Sequence, residues 1–512
     1  MLEREFKYDV DGDYALPDLA GVEGVAAVDP AVETALEATY FDTPDHRLSA
    51  AGVTLRRRTG GADEGWHLKL PSAEEPEARH ELRLGVGRAV RTVPKPFRST
   101  LSGLTGDQPL GPVATVATRR TVRQLRDDQG AVLVEVADDA VEAAVVRADG
   151  DGDVPDPIAW REVEVELVDG DAAVLRGVGK QLTSAGACDT TRRSKVGRVL
   201  GGEPSPADAP SRAKDPVQAL VQHRLATQLG VLLRRDPLAR ENLPEGVHTM
   251  RVAVRRLRSA LATCRPFLDR SVTDPLRDEL GWLSDVLGDA RDAEMRRQRL
   301  DAAVDALVAA RPDIDWDDQR VRSVLWSSLV DRHQHALAGL QEALASERYA
   351  ALLDRTRELV VTPPWTDRAS QKVGDAYRRR VGHELKRVRR RMAAAADPEL
   401  TPEERARALH QARKATKRAR YAIEPLRPVY GGSAKTLVKR LKKLQSALGQ
   451  HQDTVVTRGL LLDLARTQQP PLDPAAALLA GALVERESVA AERYEARARK
   501  AWRTVRGTPG PG

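Results

Sequence analysis

Glu3, Glu5 and Lys7 stand two residues apart in the run LEREFKY. On an extended strand side chains alternate, so these three share one face. Two carboxylates so placed suit a hard divalent cation such as Mg2+, which takes oxygen ligands. The run REVEVEL puts Glu162, Glu164 and Glu166 on one face and Val163, Val165 and Leu167 on the other. Arg56, Arg58, Lys69, Arg120 and Lys195 are bases suited to phosphate oxygens. Carboxylates that hold a cation, beside bases that neutralise a phosphate chain, form the set that metal-dependent phosphoryl transfer needs. A single ExExK is weak by itself, and the bland alternative is a solvated strand face.

The elements that carry these residues read as strands. LEREFKY, GVTLRRR, GWHLKLP, RHELRL, AVLVEVADD and WREVEVELVDG alternate polar and apolar side chains. Many present a charged face, and the charges are of both signs. Two architectures fit: a sandwich with a solvated outside, or a closed barrel with a polar interior that holds a charged ligand. Short helices are expected at 30–38 and 171–185. Beyond residue 216 the pattern is helical, with segments expected near 214–235, 246–268, 273–288, 290–310, 317–345, 347–360, 369–396, 402–428, 433–449, 452–467 and 473–503.

Charge divides the chain at the same place. The net charge is +6, from 81 Lys+Arg and 75 Asp+Glu. Residues 1–200 hold 25 basic and 35 acidic residues, a net of −10, and the remainder therefore carries +16. The Gly/Pro/Ala/Asp-rich stretch at 201–216 lies at the change of sign and reads as a linker. The length, 512 residues, exceeds one core. Two cysteines, Cys188 and Cys264, exclude a disulfide framework and favour a reducing compartment. No apolar run of about 18 residues is present, so no membrane-spanning helix is expected. The charged start MLEREFKYDV does not read as a signal peptide.

The helical half repeats itself. His248-x-x-Arg251-x-x-x-Arg255-Arg256-x-Arg258 matches His410-x-x-Arg413-x-x-x-Lys417-Arg418-x-Arg420. LSDVLGDARD (283–292) matches LQSALGQHQD (444–453), and upstream VQHRLATQLGVLLRRD matches YRRRVGHELKRVRRRM. At 100° per residue His248, Arg251, Arg255 and Arg258 fall within an arc of about 80°, and the second set does the same. Lys414 lies beside it. Like charges so close want an anion, either a protein carboxylate or a bound polyanion. The histidines read as hydrogen-bonding partners, since no zinc spacing is present. Aromatic residues make up 4% of the chain, which disfavours nucleic acid held by base stacking.

In combination, Glu3-x-Glu5-x-Lys7, Tyr40-Phe41-Asp42-Thr43 with Leu55-Arg56-x-Arg58, Trp66-x-Leu68-Lys69, Arg120-Thr121, Glu162-x-Glu164-x-Glu166 and Ser194-Lys195 resemble the CYTH domain. This domain defines the triphosphate tunnel metalloenzymes: inorganic triphosphatases, thiamine triphosphatases and class IV adenylate cyclases. The duplicated half resembles the CHAD domain, an all-α module whose basic groove binds inorganic polyphosphate. CYTH followed by CHAD is a known bacterial arrangement.

The resemblance implies an α+β multidomain chain. An eight-stranded antiparallel tunnel with peripheral helices spans 1–200, a linker spans 201–212, and two duplicated helical bundles fill 213–505, with repeats at about 213–360 and 369–503. It implies Mg2+ or Mn2+ on Glu3, Glu5, Glu162, Glu164 and Glu166, with Glu135 and Asp139 as further acidic positions. Lys7, Arg56, Arg58, Lys69, Arg120 and Lys195 would grip triphosphate, and Glu3, Glu5 and Lys7 would be catalytic. A metal-activated water would attack the terminal phosphorus. His248, Arg251, Arg255, Arg256, Arg258, His410, Arg413, Lys414, Lys417, Arg418 and Arg420 would bind polyphosphate.

The implied activity is hydrolysis of inorganic triphosphate or a related triphosphate compound. The alternatives are a non-catalytic polyphosphate-targeting protein and a class IV-type cyclase. The implied setting is the cytoplasm, with polyphosphate granules as a further address and no membrane partner. The chain departs from the family at Arg83, where an acid is common, at Lys417, which stands for an arginine, and at LGQHQD.

Overall fold

The computed structural model describes residues 2–508 except 73–74, 76–77, 88–89, 147–155, 191–193, 202–215, 244, 315, 317, 468–471 and 473. The expected linker, from residue 202 onward, lies outside the described residues. The chain forms two compact units, one of Met1–Pro206 with Gly230–Thr249, the other of Ala207–Leu229 with Met250–Gly512.

In the first unit the strands are β1 (Leu2–Val10), β2 (Ala27–Val28), β3 (Val32–Asp42), β4 (Thr54–Thr59), β5 (Gly65–Pro71), β6 (Ala78–Leu84), β7 (Gly111–Arg126), β8 (Val132–Val145), β9 (Ile158–Leu167) and β10 (Cys188–Asp189). Eight of them pair antiparallel in the order β1-β6-β5-β4-β3-β7-β8-β9, and β9 returns to β1. That last pairing sets Lys7 opposite Glu164 and closes the sheet into a barrel. The two-residue strands β2 and β10 add to β7 and β1.

Closure resolves the choice between sandwich and barrel, and the apolar faces explain the inversion of charge. Val163 and Val165 are fully buried on the outside of the wall. They pack with Tyr8, Leu125, Val134 and Val136 against Leu175, Val178 and Leu182 of the helix Ala172–Ser184. A second apolar cluster joins Leu55, Trp66 and Leu68 to Phe97 and Leu101. Each such aliphatic side chain contributes about 1.5–3 kcal/mol on burial. The core therefore lies between the wall and its helices, and the charged faces are turned inward.

The helices of this unit are α1 (Arg47–Ala50), α2 (Lys95–Thr105), α3 (Ala172–Ser184) and α4 (Lys195–Val199). Asp171 caps α3 by accepting from the Ala173 and Val174 amides. The helix expected at 30–38 is instead strand β3. Its Ala/Glu-rich residues pair on both sides, Ala38 with Arg58 and Thr34 with Arg120, and tertiary pairing overrides local propensity.

Helical segments continue as α5 (Val217–Arg240), α6 (Gly246–Cys264), α7 (Arg270–Ala310), α8 (Asp318–Ala345), α9 (Glu347–Val361), α10 (Val373–Ala394), α11 (Pro402–Ile423), α12 (Arg427–Thr467) and α13 (Pro474–Arg506). The breaks expected near 289 and 450 are absent. Helix α7 runs through the first over 41 residues and α12 through the second, while the break expected between 428 and 433 is present as non-helical backbone at Gly431. The duplicated motifs thus occupy matching helices, H-x-x-R on α6 and α11 and the L-G segment on α7 and α12. Among the described residues no helix is long and apolar enough to cross a membrane.

Candidate functional site

The inward faces enclose a cavity of about 530 Å³. Glu3, Glu5, Lys7, Arg56, Arg58, Lys69, Arg120, Glu135, Glu164, Glu166 and Lys195 all line it. Glu162 and Asp139 are 5% and 0% exposed and join the same network through Lys195. Asp139 faces inward with Glu135 because β8 stays regular between them, each opposite a polar residue of β7.

The charges sort into two groups. In one, Asp139, Glu162 and Glu164 bring carboxylate oxygens within 4.8 Å of one another. Lys195 Nζ stands among them at 2.9, 2.7 and 2.8 Å. Arg120 donates to Asp139 at 2.8 and 2.6 Å and to Glu164 at 2.5 Å, and Lys7 pairs with Glu164. Burial alone would lower the Lys195 ammonium, but Asp139, Glu164 and Glu162 hold it well above the usual lysine range.

In the other group Lys7 and Arg79 lie 3.6 and 4.0 Å from Glu5 and Arg83 lies 3.3 Å from Glu3, but among the described residues no cation pairs with Glu166. Glu166 faces Glu5 across one strand pair and Glu135 across the other. Burial, with Glu3, Glu5 and Glu135 close by and Lys69 opposing, pushes the Glu166 carboxyl up to about 7. Glu3 is 3% exposed and pairs with Lys69 at 2.5 Å.

Both groups offer the oxygen donors a hard divalent cation takes. The buried Asp139, Glu162 and Glu164 group could hold such a cation, although Lys195, Arg120 and Lys7 already balance its three charges. Glu3, Glu5, Glu135 and Glu166 crowd carboxylates that repel one another, and added positive charge relieves that repulsion. The five glutamates read from the sequence as metal ligands are thus divided, Glu3, Glu5 and Glu166 in one group and Glu162 and Glu164 in the other.

Tyr40, Arg79 and Glu81 are among the lining residues that the sequence reading did not place in the site. Arg79, Glu81 and Arg83 alternate along β6, so the period-two pattern of RHELRL carried the signal. Glu81 is buried, pairs with Arg83, and takes His67 Nδ1 at 2.9 Å. Tyr40 is 4% exposed, and its hydroxyl accepts from Arg56 at 3.5 Å. Arg58 pairs with Asp63.

In the helical unit the two basic stripes meet. Burial, then Arg413, Arg255, Arg251 and Arg420, pushes the Lys417 ammonium down to about 7. Arg255 is lowered by burial and by Arg251, Arg413 and Arg420. Residues of α6 and α11 are therefore close neighbours. The glycines of the L-G segments serve these stripes: a Cβ on Gly288 would stand 3.4 Å from Arg251, and one on Gly449 3.4 Å from Arg413.

His248 and Arg258 are half-buried on α6, with Arg258 against Gly281. His410 is half-buried too, its imidazole lowered by burial and by Lys414, Arg413 and Lys417, and Lys414 is exposed. Two of the expected residues point elsewhere. Arg256 turns to Glu424 at 3.9 Å, and Arg418 donates to Glu384 at 2.9 Å.

Fold and site together define a charged-tunnel domain joined to a duplicated basic helical domain. Residues 1–198 match the model of the CYTH domain, and residues 223–462 match that of the CHAD domain. The chain is 35% identical over 475 residues to the uncharacterized protein Rv2226 of Mycobacterium tuberculosis, covering 91% of this chain and 89% of that one. Among solved structures it is similar to PptA from Streptomyces chartreusis, with 24% identity, a TM-score of 0.48, and 56% of this chain and 100% of that chain covered. It is also similar to the CHAD domain from the plant Ricinus communis, with 27% identity, a TM-score of 0.44, and 61% and 99% covered. The chain belongs to the family that joins a CYTH domain to a CHAD domain.

Proposed function

We propose that the barrel hydrolyses inorganic triphosphate, or a related triphosphate compound, with Mg2+ or Mn2+, and that the helical unit binds inorganic polyphosphate. Arg56 carries the first part. It lines the cavity, its buried Nε has no acceptor, and it has no carboxylate partner among the described residues. A buried cation so placed favours an anion in the cavity. Arg58 and Lys69 extend the same grip, while Lys7, Arg120 and Lys195 hold Glu164 and Asp139 in place. Glu3, Glu5 and Glu166, with Glu162 and Glu164, would hold the cation. When bound it would supply positive charge against the phosphoryl oxygens.

For the helical unit the supporting observation is that Arg255, Arg413 and Lys417 crowd together without a carboxylate partner among the described residues. We place the two functions in residues 1–200 and 213–505. A substrate panel tests the reading: tripolyphosphate, thiamine triphosphate and ATP, each with Mg2+ or Mn2+, followed by phosphate and cyclic AMP assays. Phosphate release from tripolyphosphate supports it. Cyclic AMP from ATP without phosphate release from any of the three would overturn it.

A further inference from the structure

Helix α10 is strongly basic beyond what its packing requires. It carries Arg378, Arg379, Arg380, Lys386, Arg387, Arg389, Arg390 and Arg391 against Asp375 and Glu384. Its first-repeat counterpart, VQHRLATQLGVLLRRD, sets Thr227, Gly230, Val231 and Leu233 where α10 has His383, Lys386, Arg387 and Arg389. The duplicated architecture therefore forms without these charges. They also cost helix stability, because cations three or four residues apart repel by about 0.2–0.5 kcal/mol per pair.

Five of the cations, Arg380, Lys386, Arg387, Arg389 and Arg390, line a concavity of about 660 Å³ with Arg265 and Arg418. At its floor is Glu384, 1% exposed, which pairs with Arg418 at 2.9 Å and Arg380 at 3.6 Å. One carboxylate thus faces two arginines. Arg265 is held by Asp274 at 2.8 Å. Lys386, Arg387, Arg389 and Arg390 are exposed and have no carboxylate partner among the described residues. Burial, with Arg387 and Arg380 near, lowers Arg418 despite Glu384. None of these residues belongs to the facing stripes of α6 and α11 except Arg418, which turns away from them.

We propose that this face of α10 is a second anion site, which holds a condensed-phosphate chain independently of the facing stripes. Guanidinium groups grip phosphate oxygens in pairs. The lining has no Phe, Tyr or Trp on which bases would stack, and Ala393 is its one apolar residue, so neither nucleic acid nor a lipid surface finds its usual foothold.

The test measures binding of long-chain inorganic polyphosphate to the full chain across a salt series. Lys386→Gln, Arg387→Gln and Arg390→Gln are combined in one variant, and Arg255→Gln, Arg413→Gln and Lys417→Gln in another. The α10 variant is expected to melt no lower than the parent, to bind about tenfold more weakly, and to lose about 2 from the log–log salt slope. The stripe variant is expected to keep residual binding that the two sets combined abolish. An α10 variant with the parent's affinity and slope overturns the second site and leaves the stripe reading standing. Loss in the stripe variant of all binding would do the same. A larger loss for a single-stranded oligonucleotide or for anionic phospholipid vesicles than for polyphosphate overturns the assigned ligand. No binding by the parent chain overturns both sites.

Discussion

Nζ of Lys195, at the start of the five-residue helix α4, stands 2.9 Å from Oδ2 of Asp139, a β8 carboxylate with no exposed surface. The pair links the segment that follows the barrel to the barrel's wall. Through Glu162, Glu164 and Arg120 it joins a continuous chain of charges in the tunnel.

Removing Asp139 leaves Lys195 and Arg120 paired with Glu162 and Glu164 but with one buried positive charge in excess. Asp139→Ala is expected to destabilise the protein by about 3–5 kcal/mol, the usual cost of breaking a buried pair. Urea unfolding followed by a barrel tryptophan signal measures it. A loss below about 1 kcal/mol would mean that water reaches Lys195 and Arg120 freely.

Arg56 separates binding from stability. It has a hydroxyl partner in Tyr40 and no carboxylate partner among the described residues. Arg56→Gln is therefore expected to leave the melting temperature unchanged and to lower kcat/KM for tripolyphosphate roughly 100-fold, the scale of losing one charge-stabilising donor. Unchanged kinetics would remove Arg56 from the grip.

Lys417 gives the helical unit a pH dependence. Its ammonium lies at about 7 in the folded chain, below its ordinary 10.5. A polyanion favours the charged form, so binding takes up a proton above pH 7 and affinity falls as pH rises, by up to about tenfold per unit. Lys417→Arg, which stays charged, is expected to flatten the profile. The unfolded chain holds this proton up to a higher pH, so in the same window the folded state gains stability as pH rises. Titration calorimetry between pH 6 and 9 in two buffers of different ionisation heat reads the proton uptake.

How much of this was legible in the sequence depended on periodicity. Glu162, Glu164 and Glu166 alternate with buried valines, so their shared face was readable. Which way that face points was not, because a sandwich and a barrel share the same alternation, and only the β1–β9 pairing decides. The stretch 30–38 was misread as helix because its Ala and Glu content outweighed a period that pairing with β4 and β7 later imposed. The role of Gly288 and Gly449 was hidden as well. Each lies against an arginine of a neighbouring helix, a contact that residue spacing within one helix does not show.

The division of the acidic residues into two groups was equally out of reach. Glu5, Glu135 and Glu166 become neighbours only across strand pairs set by register. Asp139 and Glu162 are likewise partners across β8 and β9, although 23 residues apart in sequence. Strand spacing shows a shared face, and cross-strand register shows a shared site.

The most direct test of the tunnel is phosphate release from tripolyphosphate with Mg2+ by the full chain and by Glu5→Ala. Glu5 lines the cavity beside Glu166 and stands 3.6 Å from Lys7. The parent is expected to release phosphate and Glu5→Ala to fall by at least about 100-fold while keeping its fold. Full activity in Glu5→Ala, or no release by the parent with either Mg2+ or Mn2+, would contradict it.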